Sequence, residues 1–477
     1  MRFQELINLC DKELRSGKTR EVQQRMSALD FANVPREWRV PLAQICRRAN
    51  LFVAGLCLLR PLFYQGKNQW HDRATPTEIC EYAALLSKNG NNEEALRMLS
   101  HIPVNLVPQA ALYTAFCHMA KWDYACGANE LLRYLHTCPP AYQALLARVN
   151  LAACQVNNGE WEAARENLMG IISVCEREGH LRLLANAREL NGQLHLHQRD
   201  WNGARAQLNQ AAELLGSDTT YDRLFIEKWN AILNGLELGS ELPILSFREK
   251  ARTLDHWESV RDSDRFALMI RFDSERFDFL YFGTPYEIYR QRLILSLGKK
   301  PAAFLYRWGA GTEWKLDLSA GTLNGEPVPS GTVRVLSALL NDFYRPLSIG
   351  GLFSQLFPGD HFDPLSSAHR VHQTIWRTRK WLAANGVPLR LSALRNSIRI
   401  APAPQVSILI PLHRSDPETV WISRLRQEFG DQEFTASEVC QVQHISRPNF
   451  QRKIRRCLKK NMVGKRFSGR ATRYRVL

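Results

Sequence analysis

Arg452, Arg455, Arg456 and Lys459 recur at a spacing that turns them to one side of a helix, with Asn449 and Gln451 near its N-terminal rim and Arg447 opening it. Guanidinium groups gathered in this way do polyanion chemistry. Each forms a charge-assisted, often bidentate hydrogen bond to phosphate and releases a condensed counterion when it does so. Arg, Asn and Gln also match the paired donor and acceptor edges of bases. From Val439 to Leu477 there is no Asp or Glu to compete for them, and the last 33 residues hold twelve Lys and Arg. The whole chain carries a formal charge of +16, whereas its first 300 residues hold 37 basic and 35 acidic side chains. Charge this segregated is a local device, and its natural partner is a polyanion.

The elements that must position these groups are legible around them. Thr435-Ala436-Ser437-Glu438 has capping-box spacing and predicts a short helix through Val439 and Val442, followed by a turn near Gln443-His444-Ile445. Ser446 is a good second N-cap, and Pro448 is tolerated in a first turn. Phe450, Ile454, Cys457 and Leu458 then form an apolar stripe opposite the cations. After Asn461, Val463 to Phe467 and Thr472 to Leu477 predict two short strands around a Gly-containing turn, carrying Lys465, Arg466, Arg470 and Arg473 as phosphate or wing contacts. Helix, turn, basic helix and basic hairpin is a winged helix-turn-helix layout. The run from Ser446 to Leu477 resembles the recognition helix and wing of bacterial winged-helix regulators, which implies a helix in the major groove of duplex DNA.

Residues 301 to 403 carry a separate resemblance. Trp314-Lys315-Leu316-Asp317-Leu318 and Thr322-Leu323-Asn324-Gly325 fit a strand and turn, Val333, Leu336, Leu339 and Leu340 an amphipathic helix, and Ser348 a cap for the next helix through Leu352 and Leu356. In Ser366 to Leu382, Val371, Ile375, Thr378 and Leu382 fall at buried spacing, while Arg370, Gln373, Thr374, Arg377 and Lys380 face away from them. Leu389–Leu391 and Ile398–Ile400 complete a pair of wing strands. This segment resembles the effector domain of OmpR/PhoB-type regulators, and the resemblance makes those five polar residues DNA-side candidates. It departs from the family at the wing turn, where Leu394-Arg395-Asn396-Ser397-Ile398 stands in place of a Gly-x-Gly-Tyr pattern. It is also only mildly basic, with 12 basic and 7 acidic residues between 301 and 416, so packing or dimerisation is the alternative role.

Residues 1 to 240 read as helical, with Pro and Gly at junctions. Gly159-Glu160-Trp161-Glu162-Ala163-Ala164 returns 40 residues later as Arg199-Asp200-Trp201-Asn202-Gly203-Ala204, and Trp122-Asp123-Tyr124-Ala125 and Asn92-Glu93-Glu94-Ala95 are weaker copies. Helix pairs at such a period predict an α-solenoid. The unit resembles tetratricopeptide repeats, which implies a protein or peptide partner on the concave face. Trp122, Trp161 and Trp201 are expected to be core at a fixed repeat position, and the eleven Cys, nine of them assigned to first-half helices, to be scattered small hydrophobes of a reducing compartment.

Residues 241 to 300 are a helical connector. In it, Thr284-Pro285-Tyr286-Glu287 reads as a capping box and Arg261-Asp262-Ser263-Asp264-Arg265 as a solvated face. No phosphate loop of the Gly-x-x-x-x-Gly-Lys-Ser/Thr type and no Cys-x-x-Cys pair occurs. His195 and His197 do not converge on one metal as i, i+2, and Asp360, His361 and Asp363 read as solvated loop residues. No enzyme, cofactor or metal is expected. Neither a signal peptide nor an apolar run long enough to span a bilayer is seen, which predicts a cytoplasmic protein.

The expected chain is therefore mainly α: a tetratricopeptide-like solenoid (1–240), a helical connector (241–300), an OmpR/PhoB-type winged helix (301–403) and a second winged helix (404–477). The expected function is DNA-binding transcriptional regulation, with homodimerisation open. The alternatives are a non-catalytic protein-interaction adaptor and an RNA-binding protein.

Overall fold

The computed structural model describes residues 3–64, 74–216, 221–394, 397–401, 403–412, 421–422, 425–426, 428–430, 432–443, 445–459, 462–467 and 472–476. The protein is mainly helical, with small sheets confined to its C-terminal part. Apolar residues at helical spacing pair successive helices: Pro76–Asn89 with Asn92–Leu99, Gln109–Met119 with Tyr124–Leu135, Ala141–Asn158 with Trp161–Glu178, and Leu181–His197 with Trp201–Leu215. Each of these pairs turns through a left-handed residue, at Gly90 (φ 101°), Trp122 (φ 62°), Gly159 (φ 79°) and Arg199 (φ 60°).

The following residue is the N-cap of the next helix, and Asp123 and Asp200 cap theirs by accepting from the amides of Cys126 and Gly203. A histidine braces each of these two carboxylates: His118 Nδ1 lies 3.1 Å from Asp123 and His195 Nδ1 2.8 Å from Asp200. His118, Asp123 and Cys126 are close enough together to hold an ion. The parallel His195–Asp200 turn has Gly203 where Cys126 stands, so the arrangement is a brace for a helix start.

These turns also correct the alignment of the aromatic row. Trp122 matches Gly159 and Arg199 in the left-handed position, and the residue matching Trp161 and Trp201 is Tyr124. A bulky residue rarely adopts a positive φ. Here it turns the indole into the connector, where Trp122 meets Tyr289 edge-on at 4.6 Å. Ala164 and Ala204 are fully buried, as close helix packing requires. Pro and Gly are not confined to junctions. Pro41 lies within Arg36–Arg48, and Gly192 lies inside Leu181–His197, where an added Cβ would come within 3.0 Å of Leu208. Cys126 and Cys138 are exposed and Cys138 lies outside the helices, whereas six of the other first-half cysteines are buried.

The connector comprises Leu242–Thr253, Trp257–Ile270, Ser274–Phe282 and Glu287–Leu297. Its Thr284 forms no capping box: the last helix starts after Tyr286 without a side-chain cap, and the buried Thr284 hydroxyl has no hydrogen-bond partner among the described residues. The mixed-charge run is interior as well. Arg261 is 0% exposed and Asp264 1%, because Arg261 donates to Asp342 at 2.6 and 2.7 Å, and Asp264 accepts from Arg248 and from the Tyr344 hydroxyl. The spacing alone suggested a solvated face; partners supplied by distant segments overrule it.

Beyond residue 300 a five-stranded sheet has the order β1-β8-β2-β3-β4, formed by β1 (Leu305–Trp308), β8 (Val406–Pro411), β2 (Trp314–Asp317), β3 (Thr322–Leu323) and β4 (Glu326–Pro327). Strand β8 runs antiparallel to β1 and parallel to β2, with Ile408 between Trp308 and Leu316. This sheet thus takes an inner strand from beyond the expected boundary at residue 403. Helices Ser330–Leu339, Ile349–Leu356 and Ser367–Ala384 pack together beside a second sheet of β5 (Leu347–Ser348), β7 (Ser397–Ala401) and β6 (Arg390–Leu394). Ser348 caps its helix by accepting from the Gly351 amide at 3.0 Å.

One apolar cluster joins the first helices, from Leu6 to Trp122, to the connector and the C-terminal sheets as far as Ile410, while the helical pairs between them hold three further clusters, around Leu131, Leu168 and Leu208. The terminal segment has its own, built from Trp421, Leu425, Phe434, Val439, Phe450, Ile454, Cys457, Val463, Tyr474 and Val476. Among the described residues no helix is long and apolar enough to cross a membrane.

Candidate nucleic-acid interface

Local chemistry forms the terminal element set. Thr435 and Glu438 make the reciprocal cap, at 3.3 Å to the Glu438 amide and 2.6 Å from the Thr435 amide, and open Ala436–Val442. After a short turn Arg447–Lys459 begins behind Ser446. Phe450, Ile454 and Cys457 are buried, with Leu458 partly so, and Phe450 packs against Tyr474 at 5.5 Å and Trp421 at 5.8 Å. Burying that stripe obliges the other side of the helix to face water, and Arg447, Arg452, Arg455 and Arg456 are all exposed, with Asn449 and Gln451 half-buried. Arg447, Arg452 and Arg455 have no carboxylate partner among the described residues. The side chain of Lys459 and the whole of Arg470 lie outside the described residues, as do the Arg395-Asn396 and Ser468-Gly469 turns and His444.

Behind the helix stand β9 (Val463–Arg466) and β10 (Arg473–Val476), paired antiparallel with Arg473 opposite Arg466 and Arg475 opposite Gly464. Phe434 extends this hairpin by exchanging two 2.8 Å backbone hydrogen bonds with Tyr474. Like charges placed directly opposite each other destabilise a strand pair. The outer face of the hairpin nevertheless carries Arg466, Arg473 and Arg475, and the sole acid answering them is Glu433, 3.2 Å from Arg466, among the described residues. Lys465 sits opposite Tyr474, on the other face of the hairpin, with its own side chain exposed. Arg475 was not among the sequence candidates. Its two-residue spacing from Arg473 was the available signal.

The helix Ser367–Ala384 is built differently. Val371, Ile375, Thr378 and Leu382 are buried as the spacing predicts, and Arg370, Gln373, Arg377 and Lys380 are exposed with Thr374 half-buried. Most of these groups are engaged within the chain. Arg370 pairs with Asp360 at 2.8 Å and lies 4.1 Å above the Phe357 ring. Gln373 donates to the His369 ring at 2.7 Å, Thr374 donates back to the Arg370 carbonyl, and Lys380 lies over Trp376. Arg377 has no ion pair among the described residues. Trp376 itself is 61% exposed beside these residues and was not singled out from the sequence.

The loop before this helix is a junction with the N-terminal helices and not a solvated turn. Arg60 grips Asp363 with two hydrogen bonds of 2.7 and 3.0 Å, which hold that carboxyl below its usual range. Glu94 accepts from the Phe362 amide and lies 3.1 Å from His361, while Tyr64 and Tyr82 donate to the Phe362 carbonyl. Asn91 reaches Gly350 and Ser354, and a Cβ at Gly350 would collide with both the side-chain amide and the backbone carbonyl of Asn89, so the Gly350 backbone sits directly against that turn.

The two histidines near the Arg199 turn also separate. His195 braces Asp200, whereas His197 packs against Trp161 at 4.8 Å with burial pushing its pKa down to about 4. Neither a protein-family model nor a curated protein matches this chain.

Proposed function

We propose that this chain is a DNA-binding transcriptional regulator in which tetratricopeptide-like helical repeats sense a protein or peptide partner and two winged helix-turn-helix units engage duplex DNA, with the protein acting in the cytoplasm and able to dimerise. One observation carries the reading. A helix anchored by Phe450 and Ile454 presents Arg447, Arg452, Arg455 and Arg456 to solvent in a stretch without a single acid, beside a hairpin that sets Arg473 against Arg466. A polyanion resolves the self-repulsion that such an arrangement costs, and a groove about 12 Å wide admits one helix.

The test is duplex binding of the full chain across a salt series, followed by deletion of residues 417–477. Affinity and salt dependence should both collapse on deletion; unchanged values would refute the assignment. Competition with structured RNA at fixed salt decides the polyanion, and a strong RNA preference overturns the promoter-binding reading.

A further inference from the structure

A cavity of about 900 Å³ lies between the helical pairs and the connector, and its lining includes the aromatic rings of Trp122, Tyr124 and Trp161 and the guanidinium groups of Arg265 and Arg292. Its volume falls in the range of small-molecule sites. The charges around it do not balance. Asp262 is taken by Lys228 at 2.8 Å, Asp222 by Arg182 at 2.7 Å and Glu258 by Arg261 at 2.9 Å. Glu189 accepts from Gln193, and burial pushes its carboxyl up to about 7, which blunts its negative charge at neutral pH. Arg265, Arg292 and the exposed Arg345, which also lines the cavity, are left without a carboxylate ion pair among the described residues, and of these Arg265 and Arg292 are the less exposed.

Arg292 donates to the Asn158 side chain at 2.9 Å and lies over Tyr124, and Arg265 lies over Phe266 and Tyr289 with its buried Nε making no hydrogen bond among the described residues. Burial lowers the pKa of Arg292, and the charge of Arg265 lowers it further. Two partly desolvated cations facing aromatic walls are complementary to an anionic group joined to a flat apolar body.

We propose that this cavity is a binding site for a small organic anion with an aromatic body, its acid group held by Arg265 and Arg292 and its ring by Trp122, Tyr124 and Trp161. The proposal goes beyond the DNA-binding reading and does not depend on it. The helix Trp257–Ile270 supplies Glu258, Asp262, Arg265 and Phe266 to the cavity and holds Asp342 and Tyr344 with Arg261 and Asp264 on its other side. An occupant would therefore bear on the helix that anchors the C-terminal sheets.

The experiment titrates the full chain with the fluorescent anion anilinonaphthalene sulfonate and, in parallel, with uncharged phenylnaphthylamine. Saturable one-to-one binding of the anion is expected. Arg265→Gln and Arg292→Gln should each weaken it roughly tenfold or more and leave the uncharged probe unaffected, while Trp161→Ala should weaken both. Equal anion affinity in arginine variants that keep the wild-type melting curve would overturn the proposal. Because such variants are at risk of misfolding, amide hydrogen exchange of the unaltered protein gives a second readout. Protection by the anion should appear in Trp257–Ile270 and Glu287–Leu297. Protection confined to residues 445–476 would place the probe on the basic terminal helix and refute the site.

Discussion

Two helices of this chain carry cations opposite an apolar stripe, and they are supported in opposite ways. Ser367–Ala384 belongs to the core that joins the first helices to the C-terminal sheets, and the loop in front of it is held by Arg60, Tyr64, Tyr82 and Glu94. Arg447–Lys459 rests on a separate core made almost wholly by its own segment. In the first, most polar groups on the outward face are occupied by Asp360, His369 and Trp376. In the second, Arg447, Arg452 and Arg455 have no ion pair among the described residues. Support and availability trade against each other. A helix fixed by many long-range contacts is positioned well and has few side chains to spare, while one on a small private core keeps Arg447, Arg452 and Arg455 available.

The sharpest way to break the contrast is at its supports. Asp342→Ala removes the main partner of the fully buried Arg261 guanidinium and should cost about 3–5 kcal/mol. The loss should lower the melting temperature of the shared core and leave the terminal segment unaffected. Phe450→Ala should cost a similar ~3–5 kcal/mol but act on the terminal segment alone. Hydrogen exchange in residues 434–476 should accelerate while the Leu6-to-Ile410 core keeps its protection. If either substitution melts both parts together, the two cores are one cooperative unit and the contrast fails.

How much of this was readable follows the same division. The Thr435–Glu438 and Ser348 caps, the Phe450–Ile454 stripe and the paired helices rest on residues within a few positions of each other, and all were legible. The buried Arg261–Asp264 run was not, because Asp342 and Tyr344 lie 81 and 80 residues further along the chain. Neither was the Asp363 junction, whose partner Arg60 is 303 residues away. A charge looks solvated when its counter-ion is out of sight in sequence. Strand β8 escaped for a related reason: a parallel pairing with β2 leaves no local turn to announce it. The tryptophan row misled through composition, since Trp122 and Tyr124 are both aromatic and the wrong one was matched to Trp161. On the terminal helix the buried Phe450–Ile454 stripe and the exposure of Arg447, Arg452, Arg455 and Arg456 were legible, whereas the exposed Arg475 and Trp376 were not singled out.

Smaller effects should separate the two helices in binding. Arg455→Ala, if it removes a base contact, should cost about 1–3 kcal/mol of duplex affinity and relax specificity locally. Arg377→Ala, on the helix whose neighbours are already engaged, should fall at the lower end of about 1–3 kcal/mol. Arg473→Ala on the hairpin should weaken all sequences alike and flatten the salt slope by roughly one unit. Anisotropy titrations over a salt series measure all three. An Arg377→Ala loss exceeding that of Arg455→Ala would make the anchored helix the principal reader.

The smallest effect probes the junction itself. Glu94 raises the pKa of His361 through their hydrogen bond, above the ordinary value of 6.5. A group whose folded pKa is raised contributes stability that is fully present below its unfolded value and is lost as pH rises through the folded one. The melting advantage of the native protein over His361→Gln should therefore be greatest below pH 6.5 and fade as the pH climbs past the raised value. The imidazole is more than half exposed, so water screens the pair and the advantage is small. An advantage that is constant across this window would mean that the His361 ring braces the junction by packing alone. The carboxylate of Glu94 would then hold the loop through the Phe362 amide, and the anchoring of Ser367–Ala384 would be insensitive to pH.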